Sequence, residues 1–204
     1  AEGGRLGEPS VLAIFEETTE AYLARARRMG FDLDAMVDAG LVRIIYLRPL
    51  DLSPDEIIAE LQHAVTETGA RRVVIDSLNG LELALAPSFR EDFAASLYRL
   101  VGWLSNGGVS VVFTIEVSEA FDEMKFSPHA VSFMAQNILF FRYVEVEGEL
   151  KKVLAVIKMR RSAHSKSLHG YDVGARGMIV SGPLATYRGI LTGVPVPIDG
   201  QGTP

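Results

Sequence analysis

Asp76 closes a short apolar run, Val73-Val74-Ile75, that opens on the basic pair Arg71-Arg72. A run apolar on both sides suits a parallel strand covered by helices. The carboxyl end of such a strand opens into the crevice where open α/β sheets bind ligands. An acid placed there can hold Mg²⁺, usually through water, beside phosphate groups. Taken alone, the residue also fits a solvated Asp that starts a loop. Two further runs repeat the grammar. Val11-Leu12-Ala13-Ile14-Phe15 ends on Glu16-Glu17, and Val109-Ser110-Val111-Val112-Phe113, continued by Thr114 and Ile115, ends on Glu116. Neighbouring strand residues face opposite ways, so only one of Glu16 and Glu17 points straight at a given ligand. A carboxylate there can orient a water for attack on a phosphoryl group, a positioning role rather than covalent chemistry. As a bare pattern these acids are also compatible with a structural role.

The elements that would position these acids alternate along the chain. After the first run, Thr18 or Thr19 caps a helix that extends through Met29 and stops at Gly30. A short helix near Asp34–Ala39 and a strand from Val42 to Leu47 follow. Ser53-Pro54-Asp55-Glu56 is a capping box with Pro in the first helical position, so a helix is expected to about Thr68. Its Ile57, Ile58, Leu61 and Val65 form a stripe against the sheet. After the Asp76 strand a loop is expected around Pro87. Phe89, Phe93, Leu97, Leu100 and Leu104 then share one face of a helix that Asn106-Gly107-Gly108 ends. Repeated β-α-β order implies an α/β fold, a mostly parallel sheet with helices on both faces. The last third reads as antiparallel strands. Ile138–Glu145 and Val153–Met159 are joined around Glu147-Gly148-Glu149, with shorter strands near Ser167–Val173 and Met178–Val180.

Composition sets bounds. The 204 residues suit one large α/β domain, or one domain with an appendage, and 48% hydrophobic content supports a sizeable core. No apolar stretch is long enough for a membrane helix. The absence of Cys excludes disulfides and thiolate chemistry, and no secretory signal stands out, so the cytoplasm is the expected compartment. A net charge of −6 argues against a chain-wide nucleic-acid surface while leaving room for a local basic groove. His63, His129, His164 and His169 lack the spacing and the third ligand of a transition-metal site. A complete phosphate-binding loop, G-x-x-x-x-G-K-[ST], is missing: none of Lys125, Lys151, Lys152, Lys158 and Lys166 follows a Gly.

Three motifs together carry a resemblance. Glu16-Glu17-Thr18 after an apolar strand, the strand end Ile75-Asp76-Ser77-Leu78, and Lys158-Met159-Arg160-Arg161-Ser162-Ala163-His164-Ser165-Lys166 resemble the KaiC-like ATPases, RecA-type P-loop proteins that include the circadian clock component. Tyr143 to Glu149 fits as well, and the similarity runs from about residue 1 to residue 193. The resemblance implies a RecA-like sheet with a C-terminal antiparallel β extension. It implies a domain over residues 1–193 that begins downstream of its phosphate loop, with 194–204 as an exit segment. It implies ATP and Mg²⁺ as ligands, Glu16 and Glu17 as paired catalytic carboxylates and Asp76 as the Mg²⁺ acid, acting through water. Lys158 and Arg160 match cations that reach the γ-phosphate of the adjacent subunit, and Met159, Ser162 and His164 lie in the same nucleotide-contacting segment. Lys158 and Arg160, two apart on a strand, would share a face and could address one phosphate together.

The expected function is therefore ATP hydrolysis in a ring homo-oligomer, a hexamer by resemblance, with Ser/Thr autokinase activity and signalling or clock-related regulation as its possible extensions. The chain departs from the family pattern at two places. Arg161 stands where the family has Gly and Ser165 where it has Asp. Ser132-Phe133 replaces the adjacent Ser-Thr pair that the clock protein phosphorylates, so Ser132 alone can accept phosphate there. An alternative is a RecA- or RadA-like recombination module, which wants basic channel loops; Ala120–Ser132 instead sets Asp122 and Glu123 against Lys125. A second alternative is a non-catalytic assembly or signalling module.

Overall fold

A computed structural model describes residues 2–47, 53–84, 93–117, 131–175, 177–185, 187–189 and 196–198. The chain forms two compact units, Ala1–Val117 and Ser118–Pro204.

The first unit is built on a four-stranded, wholly parallel sheet of β1 (Ser10–Ile14), β2 (Val42–Tyr46), β3 (Arg72–Asp76) and β4 (Ser110–Phe113), in the order β2-β1-β3-β4. The chain steps from β1 to one side for β2, then returns across β1 for β3. Because parallel crossovers are right-handed, connections running in opposite directions lay their helices on opposite faces. The short helix α1 (Glu2–Arg5) precedes β1, helices α2 (Thr19–Arg28) and α3 (Leu33–Asp38) fill the first crossover, and α4 (Pro54–Thr68) fills the second. Strand β1 is thus buried from both sides: Val11, Ala13, Ile14 and Phe15 are fully enclosed. The order reverses between β1 and β3, and a crevice opens there outside the carboxyl ends.

The local signals act as the residues require. Thr18 caps α2 by accepting the Ala21 N–H at 3.3 Å. Ser53 accepts the Glu56 N–H at 3.3 Å while the Glu56 carboxylate accepts the Ser53 N–H at 2.7 Å, the reciprocal pair that starts α4. Gly69 ends that helix at φ 61. Ile57, Leu61 and Val65 of its stripe are buried, while Ile58 is only half-buried. Helix α6 (Phe93–Asn106) buries Phe93, Leu97, Leu100 and Leu104 as expected; Phe89 and Pro87 lie outside the described residues. Helix α5 (Leu78–Ala84), which the sequence reading did not include, begins two residues after Asp76.

The second unit holds a four-stranded antiparallel sheet, β5 (Asn137–Val146), β6 (Glu149–Met159), β7 (His169–Gly174) and β8 (Gly177–Pro183), in chain order. Its core joins Val144, Val146 and Val153 to Leu168, Leu184 and Tyr187. The β5–β6 hairpin turns on Glu147 and Gly148, both at positive φ (56 and 78), the conformation that matches a two-residue turn to strand twist. Val196–Pro197, inside the expected exit segment, pairs antiparallel with Tyr187–Arg188.

The capping box has a measurable signature. Ser53→Ala should cost about 1 kcal/mol in urea unfolding, the usual loss for a Ser N-cap. The Ser53 backbone N–H, followed by its hydroxyl, holds the Glu56 carboxyl below its usual range. A depressed acid stabilises the fold above its unfolded pKa and loses that contribution as pH falls through its folded pKa. The stability gap between wild type and Glu56→Gln should therefore close on acidification below about pH 4; a gap that widens there would refute the assignment.

Candidate active site

The reversal of strand order brings together the acids at the ends of β1 and β3. In the parallel register Ile14 lies opposite Asp76, so Glu16 and Glu17 follow two and three residues beyond the level of Asp76. The side chain of Phe15 is fully buried, whereas Glu16 is exposed and Glu17 half-buried. Glu16, Glu17, Asp76 and Glu116 line one cleft of ≈ 280 Å³ with Ile14, Tyr22 and Arg25.

Each acid has its own support. The Ser77 hydroxyl donates to Glu16 Oε1 at 2.6 Å and accepts the Gly80 N–H at 3.0 Å. Ser77 thereby caps α5 and fixes the Glu16 carboxylate with the same oxygen. Gly80 lets the helix approach: a Cβ there would stand 2.8 Å from Phe15 Cβ and 3.1 Å from Glu16 Oε1. Asp76 Oδ1 accepts from the Thr114 hydroxyl at 2.6 Å, and the Asp76–Ser77 peptide is cis. Glu17 accepts from Arg25 Nε at 3.0 Å and also from its Nη2. Hydrogen bonding to Glu17 is the main cause that raises the Arg25 pKa; burial, then the Asp76 charge, raises that of Tyr22. Asn79 pins the approach of β4 by accepting the Glu116 N–H at 2.9 Å.

The cationic segment belongs to the second unit. Lys158 is in β6, and Met159 ends the strand opposite Asn137. Arg160 lies one residue past it, and its N–H still donates to Gln136 O at 2.9 Å. The register shift of this pair falls between Val156 and Lys158, before both cations. Lys158 and Arg160 reach successive carbonyls of the short helix α7 (Val131–Met134): Lys158 Nζ donates to Ser132 O at 2.6 Å and Arg160 Nη2 to Phe133 O at 3.4 Å. Ser162 is exposed and His164 half-buried in the following loop. Arg161 has φ 71, the left-handed conformation that glycine adopts freely. That is the position where the resembled family carries Gly.

Sequence reading missed Tyr22, Arg25, Ser77, Gly80 and Thr114 as parts of this site. Tyr22 and Arg25 are three apart, one helix face, and the stack of the Arg25 guanidinium 4.5 Å from the Tyr22 ring centre follows from that spacing. Which acid Arg25 meets is set by the tertiary fold.

An all-parallel sheet with carboxylates converging where its strand order reverses defines the class of open α/β proteins that bind ligands at a switch point. A family model described as "ATPase: KaiC" matches residues 1–185, and the chain belongs to that family. The circadian clock protein KaiC3 of Synechocystis sp. is 28% identical over 191 residues, 93% of this chain and 37% of that protein. The circadian clock oscillator protein KaiC of Picosynechococcus sp. is 24% identical over 197 residues, 97% of this chain and 38% of its own length. The chain thus spans well under half the length of these relatives. The crystal structure of a KaiC-like protein from the hyperthermophilic archaeon Pyrococcus horikoshii superposes with a TM-score of 0.78 at 24% identity, covering 89% of this chain and 79% of that one. The fold is the RecA-like one expected: a parallel sheet with helices and a separate antiparallel sheet. Among the described residues no helix is long and apolar enough to cross a membrane.

Gly80 offers a direct test of the packing beneath Glu16. Gly80→Ala gains helix propensity, about 1 kcal/mol, yet overpacks Phe15 and the Glu16 carboxylate. An overpacking cost of about 1–3 kcal/mol less that gain leaves a net destabilisation of up to about 2 kcal/mol in urea unfolding, and a stabilised variant would show that α5 does not press on β1.

Proposed function

We propose that this chain supplies part of an ATP-hydrolysing site formed between identical subunits of a ring, with Mg²⁺ accompanying the nucleotide. The observation that carries this reading is the pairing of Glu16 with Asp76 at the switch point, each oriented by its own hydroxyl, Ser77 and Thr114. One carboxylate and one hydroxyl form a hard-oxygen donor set, which suits an ion that keeps several waters and draws its remaining ligands from phosphates. Asp76 and Thr114 would hold Mg²⁺, which when bound offsets phosphate charge.

The two adjacent acids divide the work. Glu16 faces the cleft with its orientation set by Ser77 and accepts the proton of the attacking water at its carboxylate. Glu17 is already committed to Arg25 and fixes the start of α2 beside the base. Lys158 and Arg160 serve the nucleotide of the adjacent subunit, where they stabilise transferring phosphoryl charge. Met159, Ser162 and His164 complete that contact. Residues 1–193 form the ATPase portion, 194–204 lead out of it, and the ring is a cytoplasmic hexamer. Transfer to a protein hydroxyl would use the same base and cations, with Ser132 as acceptor. Clock-related signalling rests on the names of the relatives alone.

Two measurements on the full-length protein test this. Glu16→Gln combined with Glu17→Gln should lower hydrolysis by about 10²-fold or more, the range for a lost general base, with ATP binding retained. Parental turnover in that variant would make the acids structural. For the shared site, rings lacking Glu16 and Glu17 are mixed with rings lacking Lys158 and Arg160 under conditions of shown subunit exchange. Mixing should restore part of the activity, because some junctions regain both halves. A self-contained site predicts no recovery at any ratio.

A further inference from the structure

Four carboxylates, from Glu16, Glu17, Asp76 and Glu116, line the cleft, and among its described lining residues Arg25 is the one cation. Its guanidinium lies between two of them. Nε donates to Glu17 Oε1 at 3.0 Å, and Nη2 bonds the same oxygen while standing 3.9 Å from Asp76 Oδ2. Asp76 Oδ1 is taken up by Thr114, so the oxygen nearest Arg25 is the one left for a cation's hydration shell. Tyr22 limits the freedom of the arm: its ring centre is 4.5 Å from Arg25 Cζ, a cation–π stack. The geometry is that of a partly exposed planar cation held between an acid and an aromatic ring.

We propose that Arg25 is a built-in counter-cation of the metal site: it balances Glu17 and Asp76 when no metal is bound, and a divalent cation reaches Asp76 only by displacing it. The proposal rests on the reading of Asp76 as the Mg²⁺ acid. Its consequence is selectivity in loading. A bare dication must dislodge the guanidinium and gains no new partner for it. A metal–phosphate complex carries anionic oxygens that can take the released guanidinium in charge-assisted bonds. Arg25 thus disfavours free metal and favours metal that arrives with phosphate. It is a positioning residue, since it acts through Asp76 and Glu17.

The test is Mn²⁺ titration of the nucleotide-free full-length protein by electron paramagnetic resonance. Arg25→Gln should bind Mn²⁺ about tenfold tighter or more than wild type, the scale of one adjacent charge acting on a carboxylate. Arg25→Lys, which keeps the charge, should stay near wild type, and Asp76→Asn should abolish binding in either background. A second readout needs no variant at this position: in wild type, the Arg25 Nε–H resonance should shift with Mg²⁺ at the midpoint of metal binding. If Asp76→Asn leaves Mn²⁺ binding unchanged, the metal reading of Asp76 is wrong and the proposal falls with it. If Asp76→Asn abolishes binding but Arg25→Gln binds no tighter and the Arg25 resonance stays fixed, the role of Arg25 alone is rejected.

Discussion

The parallel pairing of β1 with β3 is the constraint from which the rest of the first unit follows. It sets Ile14 opposite Asp76, and the chain's reversal between these two strands leaves their carboxyl ends uncovered by a crossover helix. Phe15 anchors the exit from β1. Its ring is fully buried, while Glu16, the next residue, lies in the bend after the strand and is exposed to the cleft.

The start of α5 couples to the same point. Ser77 both accepts the Gly80 N–H and donates to Glu16, so helix capping and carboxylate orientation share one oxygen. Gly80 is where a side chain would intrude, with Phe15 and Glu16 both within reach of a Cβ. Loss of the cap would leave a backbone donor without its partner and the acid without its orienter. Stability and site geometry are one network at this place rather than two.

Much of the scaffold was legible because its signals are local. The Ser53 capping box, the Thr18 cap and the continuous apolar runs each act within a few residues, and each became the element expected. Helix α5 was not legible because a seven-residue segment gives too few turns to show a period. Arg25 escaped for a different reason. Its partners lie eight residues back and on another strand, so only the folded sheet brings Glu17 and Asp76 to it. Arg161 shows the opposite case. The departure from Gly was visible in the sequence, and the backbone still takes φ 71 there, so the loop keeps a glycine-like path with a side chain that does not favour it.

The cations of the two units are held by different kinds of acceptor. Arg25 faces carboxylates, full negative charges at short range. Lys158 and Arg160 face the neutral carbonyls of Ser132 and Phe133. Bonds between two ionised groups are stronger than those with one neutral partner. A phosphate oxygen offered to Lys158 or Arg160 therefore replaces a weaker acceptor with a stronger one, and that exchange is favourable at modest cost in desolvation. For Arg25 the same offer must compete with acids already in place. On the proposed reading, this difference suits Lys158 and Arg160 to respond to the phosphate itself, and Arg25 to the arrival of metal and phosphate together.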